Sequence, residues 1–326
     1  MKNMRTEVPL IKEFDPAALP KGSMQFFWLE IVTDSFAEPV SIPLMVAKGR
    51  YDGPTLGLTA AVHGNELNGI PVIQRLFSEI DVSELRGTII GVPVVNVPSF
   101  MRKKRRFNDG VDLNHIFPGK ADGNVSQVYA HRFFNKLVPH FDILLDLHTA
   151  SFGRINSYYI RADMEQEETR KLALLQDAEI IVHNPPSDGT LRGAADALDI
   201  PAITLEVGNS NTFQKRFIRS GLEGIHNVLC HLDMVDDDIA APSKNTIICK
   251  SSYWLYTDAG GVLSLQADLL QILEQGQQMA LLRDIFGNRI KDYLAPEKGI
   301  VIGKSINPVN QTGGRILHLG IIKSLT

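Results

Sequence analysis

Residues 55–62, Thr55-Leu56-Gly57-Leu58-Thr59-Ala60-Ala61-Val62, form an apolar run that leads into His63. Residues 141–147, Phe141-Asp142-Ile143-Leu144-Leu145-Asp146-Leu147, form a second run that leads into His148. Runs of this kind, without a strict polar–apolar alternation, read as strands buried on both sides of a sheet covered by helices. Between about residues 40 and 235 such strands alternate with longer helical segments, which argues an α/β fold. The predicted strands are 42–47, 56–62, 88–95, 143–147, 157–160, 179–182 and 202–206. The predicted helices are 69–80, 126–137, 164–175, 192–198 and 213–232.

The pattern changes at Met234-Val235-Asp236-Asp237-Asp238-Ile239-Ala240-Ala241-Pro242-Ser243, a polar stretch ending in proline that reads as a linker. After it, turn signals recur at short spacing, such as Asp258-Ala259-Gly260-Gly261, Pro296-Glu297-Lys298-Gly299 and Gly313-Gly314. Short apolar pieces lie between them, the signature of hairpins. Two units are therefore expected: an α/β domain over 1–240 and a small all-β sandwich or barrel over 245–326.

Composition limits the function. A net charge of −4 gives no general reason to expect a nucleic-acid partner. No window approaches the roughly 20 apolar residues of a membrane span, so no membrane partner is expected. The N-terminal Met1-Lys2-Asn3-Met4-Arg5 has no apolar run behind it, and no signal peptide is indicated. Cys230 and Cys249 are too few for a disulfide framework and read as reduced thiols of a cytoplasmic protein.

The chemistry concentrates at the two strand exits. His63-Gly64-Asn65-Glu66 places a His and a Glu three positions apart, and Asp146-Leu147-His148 adds a second His. His63, Glu66 and His148 together make a ligand set for one divalent metal with an open position, and His₂Glu is one of the catalytic zinc sets. Both histidines fall past the carboxyl ends of strands, where open α/β sheets build their sites. Asp146 alternates onto the side of His148 and is placed to orient its imidazole. Glu206 closes the apolar strand Ala202-Ile203-Thr204-Leu205, and a charge there calls for a reason. It is the candidate general base for a metal-activated water.

A cation beside the developing oxyanion is also required. The run Arg102-Lys103-Lys104-Arg105-Arg106 supplies one, most of it a solvated face with Arg106 as the residue expected to turn inward. Asn114 follows as a hydrogen-bond donor for a substrate carboxylate. The other histidines, His131, His140, His183, His226, His231 and His318, lack ligand spacing and are read as surface or satisfied core residues.

Taken in order, His63-Gly64-Asn65-Glu66, Arg106 ahead of Asp112-Leu113-Asn114, Asp146-Leu147-His148-Thr149 and Glu206-Val207-Gly208 resemble the succinylglutamate desuccinylase/aspartoacylase family, related to the zinc carboxypeptidases. The resemblance covers roughly residues 40–235, and the terminal β-rich part is similar to the small β domain of the predicted-deacylase branch. It implies a carboxypeptidase-like mixed sheet flanked by helices. It also implies one zinc per subunit on His63, Glu66 and His148, Glu206 as base, Arg106 polarising the scissile carbonyl and Asn114 holding the substrate carboxylate. One position departs: the family pattern continues Asp-Leu-Asn-Arg, whereas this chain has His115. An imidazole offers at most one directed bond where arginine forks onto both oxygens. Recognition of a free carboxylate is then either weakened or moved to another cation, for which Arg192 in Thr190-Leu191-Arg192-Gly193 is the candidate.

The resulting expectation is a cytoplasmic zinc-dependent amidohydrolase, a deacylase removing the N-acyl group from an amino acid or similar small amine. Homo-oligomer formation stays open. The alternatives are a carboxypeptidase-like peptidase with an open groove and a non-catalytic zinc-binding or ligand-sensing protein. The second fits poorly with an incomplete ligand set, since structural zinc sites are normally closed by four protein ligands.

Overall fold

The computed structural model describes residues 8–186 and 189–323. From the N-terminus, β1 (Leu10–Ile11), β2 (Ser23–Thr33), β3 (Pro39–Lys48) and β4 (Tyr51–Ala60) precede α1 (Gly69–Glu79). Then come β5 (Arg86–Val92), α2 (Val97–Met101), α3 (Val125–Leu137), β6 (Ile143–His148), β7 (Arg154–Asn156) and β8 (Tyr158–Ala162). The α/β part closes with α4 (Glu167–Leu174), β9 (Ile180–His183), α5 (Leu191–Asp196), β10 (Ala202–Val207) and α6 (Lys215–His231). Strands β11 (Ile247–Tyr256), β12 (Gly261–Leu265), β13 (Ile272–Leu273), β14 (Gln278–Arg283), β15 (Arg289–Leu294), β16 (Gly299–Ser305), β17 (Val309–Asn310) and β18 (Arg315–Ile322) follow.

The main sheet is 14-stranded and mixed, in the order β1-β2-β3-β5-β4-β6-β10-β8-β9-β11-β18-β16-β13, with β7 pairing β16 off that path. Its centre is parallel, with β4 pairing β5 on one side and β6 on the other, and β6 pairing β10. Side chains alternate across this centre. Leu145 and Leu147 of β6 join one core with α1, α4 and α6, through residues such as Ile73, Leu172 and Val228. Leu144 joins the opposite core with Tyr129 and Phe133 of α3 and Ala195 of α5. Helices thus cover both faces, which is why the central strands tolerate apolar residues throughout. Local signals agree: Asn124 and Gln127 form a reciprocal capping box that starts α3. A Cβ at Gly69 would lie 2.7 Å from Leu147 Cβ, so its absence lets α1 seat on the sheet directly behind the site.

Some details differ from expectation. The strand predicted over 56–62 stops at Ala60, because Ala61 turns the chain with a φ of +50°. Strand β2 had no prediction; its residues are mostly half-buried and give no clean alternation.

The C-terminal stretch is all-β, as its turns indicate, and has a core of its own including Leu263, Leu282, Val301 and Leu319. It is not a sheet pair stacked apart from the rest. Strand β11 pairs in parallel with β9 at Ile247↔Ile180 and Cys249↔Val182, so β11, β18, β16 and β13 prolong the main sheet. The four-stranded sheet β15-β14-β12-β17 completes the unit. The physical reason is edge protection: β9 would otherwise present an unpaired strand edge. A shared cluster of Tyr159, Ile180 and Val182 with Cys249, Ile300 and Ile302 seals the junction. Among the described residues, no helix is long and apolar enough to cross a membrane.

Candidate active site

Three adjacent parallel strands, β4, β6 and β10, end at the same side of the sheet and deliver the central residues. After β4 the chain makes a tight turn in which the Glu66 N–H donates to the His63 carbonyl at 3.0 Å. Gly64 allows it: a Cβ there would fall 2.2 Å from the Phe100 backbone nitrogen. β6 ends on His148, and Glu206 of β10 is its direct register partner.

His63, Glu66 and His148 are all buried and present one ligand atom each to a common point. His63 Nδ1 lies 3.0 Å from Glu66 Oε1, His148 Nδ1 lies 3.0 Å from Glu66 Oε2, and the two Nδ1 atoms are 3.3 Å apart. The opposite ring nitrogens are both held by carboxylates. His148 Nε2 is 2.6 Å from Asp146 Oδ2, and His63 Nε2 is 2.8 Å from Asp112 Oδ1. With Nε2–H donating outward, each Nδ1 is left with its lone pair pointing inward. Two lone pairs and a carboxylate facing one another repel unless a cation stands between them. The separations also fit the edge of a tetrahedron with bonds of about 2.0–2.1 Å, roughly 3.3–3.4 Å. The residues present therefore fit a zinc ion. Without a metal, protons take that place, and a metal that binds must displace them: burial opposes charge on Glu66, yet His63, His148 and Arg105 hold its carboxyl well below the usual range. Burial likewise opposes charge on His148, but Asp146 and Glu66 hold its imidazole well above the usual value.

Asp146 is itself anchored, accepting from Thr59 Oγ1 at 2.6 Å across the β4–β6 ladder. Asp112, to which the sequence assigned no role, is the corresponding brace for His63. It also caps the turn over 113–115 through Asn114 N–H. The signal for it was its place in the Asp112-Leu113-Asn114 motif.

The arginine that enters the site is Arg105, not Arg106. Arg105 donates from Nη1 to Glu66 Oε1 at 2.7 Å and from Nε to Asp112 Oδ2 at 2.9 Å. Arg106 is exposed and offers only its backbone carbonyl, to Ser99 and Arg102. Neighbouring side chains in an irregular loop diverge, and two carboxylates select the first of the pair.

These groups open onto a cavity of about 310 Å³. Glu206 lines it, with its carboxylate 3.3 Å from Arg161 Nε and 3.4 Å from Asn156 Nδ2. Asn114 lines it too; its side-chain carbonyl accepts from Leu191 N–H at 2.8 Å, so only its NH₂ is left to serve a ligand. His115 stands at the mouth with its side chain 74% exposed. Arg192 is only 4% exposed and also faces the cavity, donating to the Asn184 backbone and side-chain oxygens at 2.9 and 2.8 Å. Burial, with Arg161 nearby, lowers its pKa to about 10, which leaves it cationic at neutral pH.

Sequence reasoning missed Arg154 and Arg161, and with them the contribution of the C-terminal strands. Trp254 of β11 and His318 of β18 stack at 5.1 Å and wall the cavity. His318 is a buried residue satisfied by Ser252 Oγ at 2.9 Å, as read, but it belongs to the cavity wall as well. No local pattern announces this, because the strands that carry these residues reach the site only through the β9–β11 junction.

Comparison with known proteins converges on one family. The model of the succinylglutamate desuccinylase/aspartoacylase catalytic domain matches residues 52–232. The N-alpha-acetyl-L-2,4-diaminobutyric acid deacetylase of Halomonas elongata is 29% identical over 294 residues, covering 86% of this chain and 85% of that protein. The succinylglutamate desuccinylase of Pseudomonas paraeruginosa is 28% identical over 178 residues, 50% of this chain and 53% of its own length. Among solved structures, the product-bound ectoine utilization protein EutE (DoeB) from Ruegeria pomeroyi matches with a TM-score of 0.84 at 22% identity, covering 93% of this chain and 98% of that one. A succinylglutamate desuccinylase from Silicibacter sp. matches at 0.81 with 22% identity, covering 94% and 98%. At such identities the structural likeness establishes the fold.

Proposed function

The chain belongs to the succinylglutamate desuccinylase/aspartoacylase family, and from that premise we propose that it is a zinc-dependent amidohydrolase removing an N-acyl group from an amino acid or similar small amine. The observation that carries this reading is the convergence of His63, Glu66 and His148 on one point, with Glu206 in register beside them on a cavity wall. Zinc held by His63, Glu66 and His148 would supply Lewis-acid polarisation of the scissile carbonyl and acidify a water. Glu206 takes a proton from the attacking water and returns it to the leaving amine, so the C–N bond breaks with no net proton change on the protein. Arg105, in the part first expected of Arg106, adds positive charge where the carbonyl oxygen becomes negative. Asn114 and Arg192 serve the substrate carboxylate, with His115 at the entrance.

The two relatives named as a deacetylase and a desuccinylase support the reaction class. The cavity's size and its wall of Trp254 and His318 favour a small N-acyl substrate over a peptide lying in an open groove. The same reading places the enzyme in the cytoplasm, with no nucleic-acid or membrane partner, and keeps the division into 1–240 and 245–326. The test is zinc analysis joined to a hydrolysis panel of N-acetyl and N-succinyl amino acids and short peptides. A chain that binds zinc and cleaves none of the N-acyl compounds, or cleaves only peptides, overturns the proposal.

A further inference from the structure

The two carboxylate oxygens of Glu206 keep different company. Oε1 lies 3.3 Å from Arg161 Nε, and that guanidinium is pinned in turn by Nη2 donating to the Tyr159 hydroxyl oxygen at 2.8 Å. Oε2 accepts from the neutral amide of Asn156, whose Nδ2 is 3.4 Å away. A positive charge lowers the proton affinity of the oxygen it faces more than a neutral N–H does. Oε2 is therefore the better proton acceptor of the two.

Asn156 closes β7, is only 6% exposed and lines the cavity. Its backbone N–H donates to the Asn209 side-chain oxygen at 3.1 Å, so the residue grips the exit of β10 twice, at the Glu206 carboxylate and three residues further on. Its own side-chain oxygen is buried and, among the described residues, has no hydrogen-bond partner. A buried orphan acceptor is destabilising, and a residue kept only for packing would not carry one. Turning the amide over gives no relief, because its oxygen would then face the Glu206 carboxylate; the electrostatics select the orientation with Nδ2 on Glu206. The orphan oxygen lies against β16, where Asn156 pairs in register with Gly303. A Cβ at Gly303 would fall 2.3 Å from Asn156 Oδ1, so a strand of the C-terminal part leaves the room in which the amide stands.

We infer that Asn156 is a positioning residue for the proposed base: seated in the gap left by Gly303, it holds Glu206 so that Oε2 receives the proton of the attacking water. The inference rests on the amidohydrolase reading and deepens it. An O–H bond of the water breaks, its proton joins Oε2 and its oxygen bonds the acyl carbon. The same proton then passes from Oε2 to the leaving nitrogen as the C–N bond breaks. Asn156 exchanges no proton in this cycle. It occupies one lone pair of Oε2 and leaves the other for the proton, while Arg161 engages Oε1.

The experiment uses the full-length, zinc-loaded chain and the N-acyl amino acid that it hydrolyses best. Asn156→Ala and Gly303→Ala are each expected to lower kcat by about tenfold to a hundredfold, with KM within about twofold of the parent and zinc content unchanged. Asn156→Asp keeps the shape but replaces the donor by an acceptor, so it should fall as far as the alanine variant. In the Glu206→Gln background, Asn156→Ala should lower kcat by less than about twofold more, because the group it positions can no longer take a proton. A crystal structure of Asn156→Ala reads the placement without turnover: the Glu206 carboxylate is expected to leave its present position and follow Arg161. An unmoved carboxylate, a parent-like kcat in Asn156→Asp, or losses that multiply in the Glu206→Gln background overturn the inference. If the carboxylate moves and the parent chain cleaves none of the N-acyl compounds, the positioning of Glu206 by Asn156 stands and the amidohydrolase reading fails.

Discussion

Glu206 and His148 stand opposite each other in register on adjacent parallel strands, β10 and β6. A proposed base and a proposed metal ligand are thereby held at one sheet end by the backbone ladder itself, with no loop between them to set their spacing. Asp146, two residues back on β6, occupies the same face and fixes the imidazole at 2.6 Å. The rigidity of the arrangement comes from main-chain hydrogen bonds, the most reliable positioning device a fold offers.

Zinc content is the first expectation. The purified chain should carry about one zinc, and His63→Ala or His148→Ala should bring it well below stoichiometric, since each removes one of the three proposed protein ligands. Elemental analysis of dialysed protein decides this. Near-full zinc in both variants would place the metal elsewhere.

The braces behind the ligands should matter almost as much. Asp146→Ala and Asp112→Ala each free an imidazole to rotate or change tautomer, and zinc affinity should fall by about 10–100-fold. Competition with a chromogenic chelator measures it. Affinity equal to the parent in either variant would show that the ring is oriented by other contacts.

Glu206→Gln keeps size and hydrogen bonding but cannot take a proton. It should retain zinc and fold, with kcat lowered by roughly 10²-fold or more. Turnover of the best panel substrate at the parent rate would remove Glu206 from the base role.

His115→Arg restores the family residue at the cavity mouth, where the present side chain is 74% exposed and its Nε2 lies 3.9 Å from Asp112 Oδ2. The longer, forked cation should raise the preference for a free-acid over an amide-capped N-acyl amino acid by about tenfold or more, chiefly in KM. An unchanged ratio of kcat/KM values would mean that His115 does not face the substrate and that Arg192 holds the carboxylate unaided.

Deleting residues 245–326 spares every proposed ligand but uncovers the edge of β9 and the apolar cluster of Tyr159, Ile180 and Val182. The truncated chain should still bind zinc, melt at a lower temperature and self-associate through the bared edge. It should also lose substrate selectivity together with Trp254. Calorimetry, light scattering and the hydrolysis panel test the three effects. A monomeric truncation with the parent's melting point and substrate preference would show that the C-terminal strands neither protect the sheet nor wall the cavity.

Much of this molecule was legible in one dimension because it rests on local periodicity. The apolar runs ending at His63 and His148 announced central strands covered on both faces. Asp146 could be assigned to the side of His148 from the two-residue period of a strand alone. What the sequence withheld depends on contacts between distant segments. That Arg105 rather than Arg106 turns inward is decided by Glu66 and Asp112, two carboxylates from different parts of the chain that share one guanidinium. That Trp254 and His318 reach a cavity built at the ends of β6 and β10 is decided by β11 capping the edge of β9. Periodicity tells each side chain which face of its own element it occupies. Only the packed chain tells it which other element that face will meet, because that choice is made by edge pairing, burial and charge compensation summed over the whole fold.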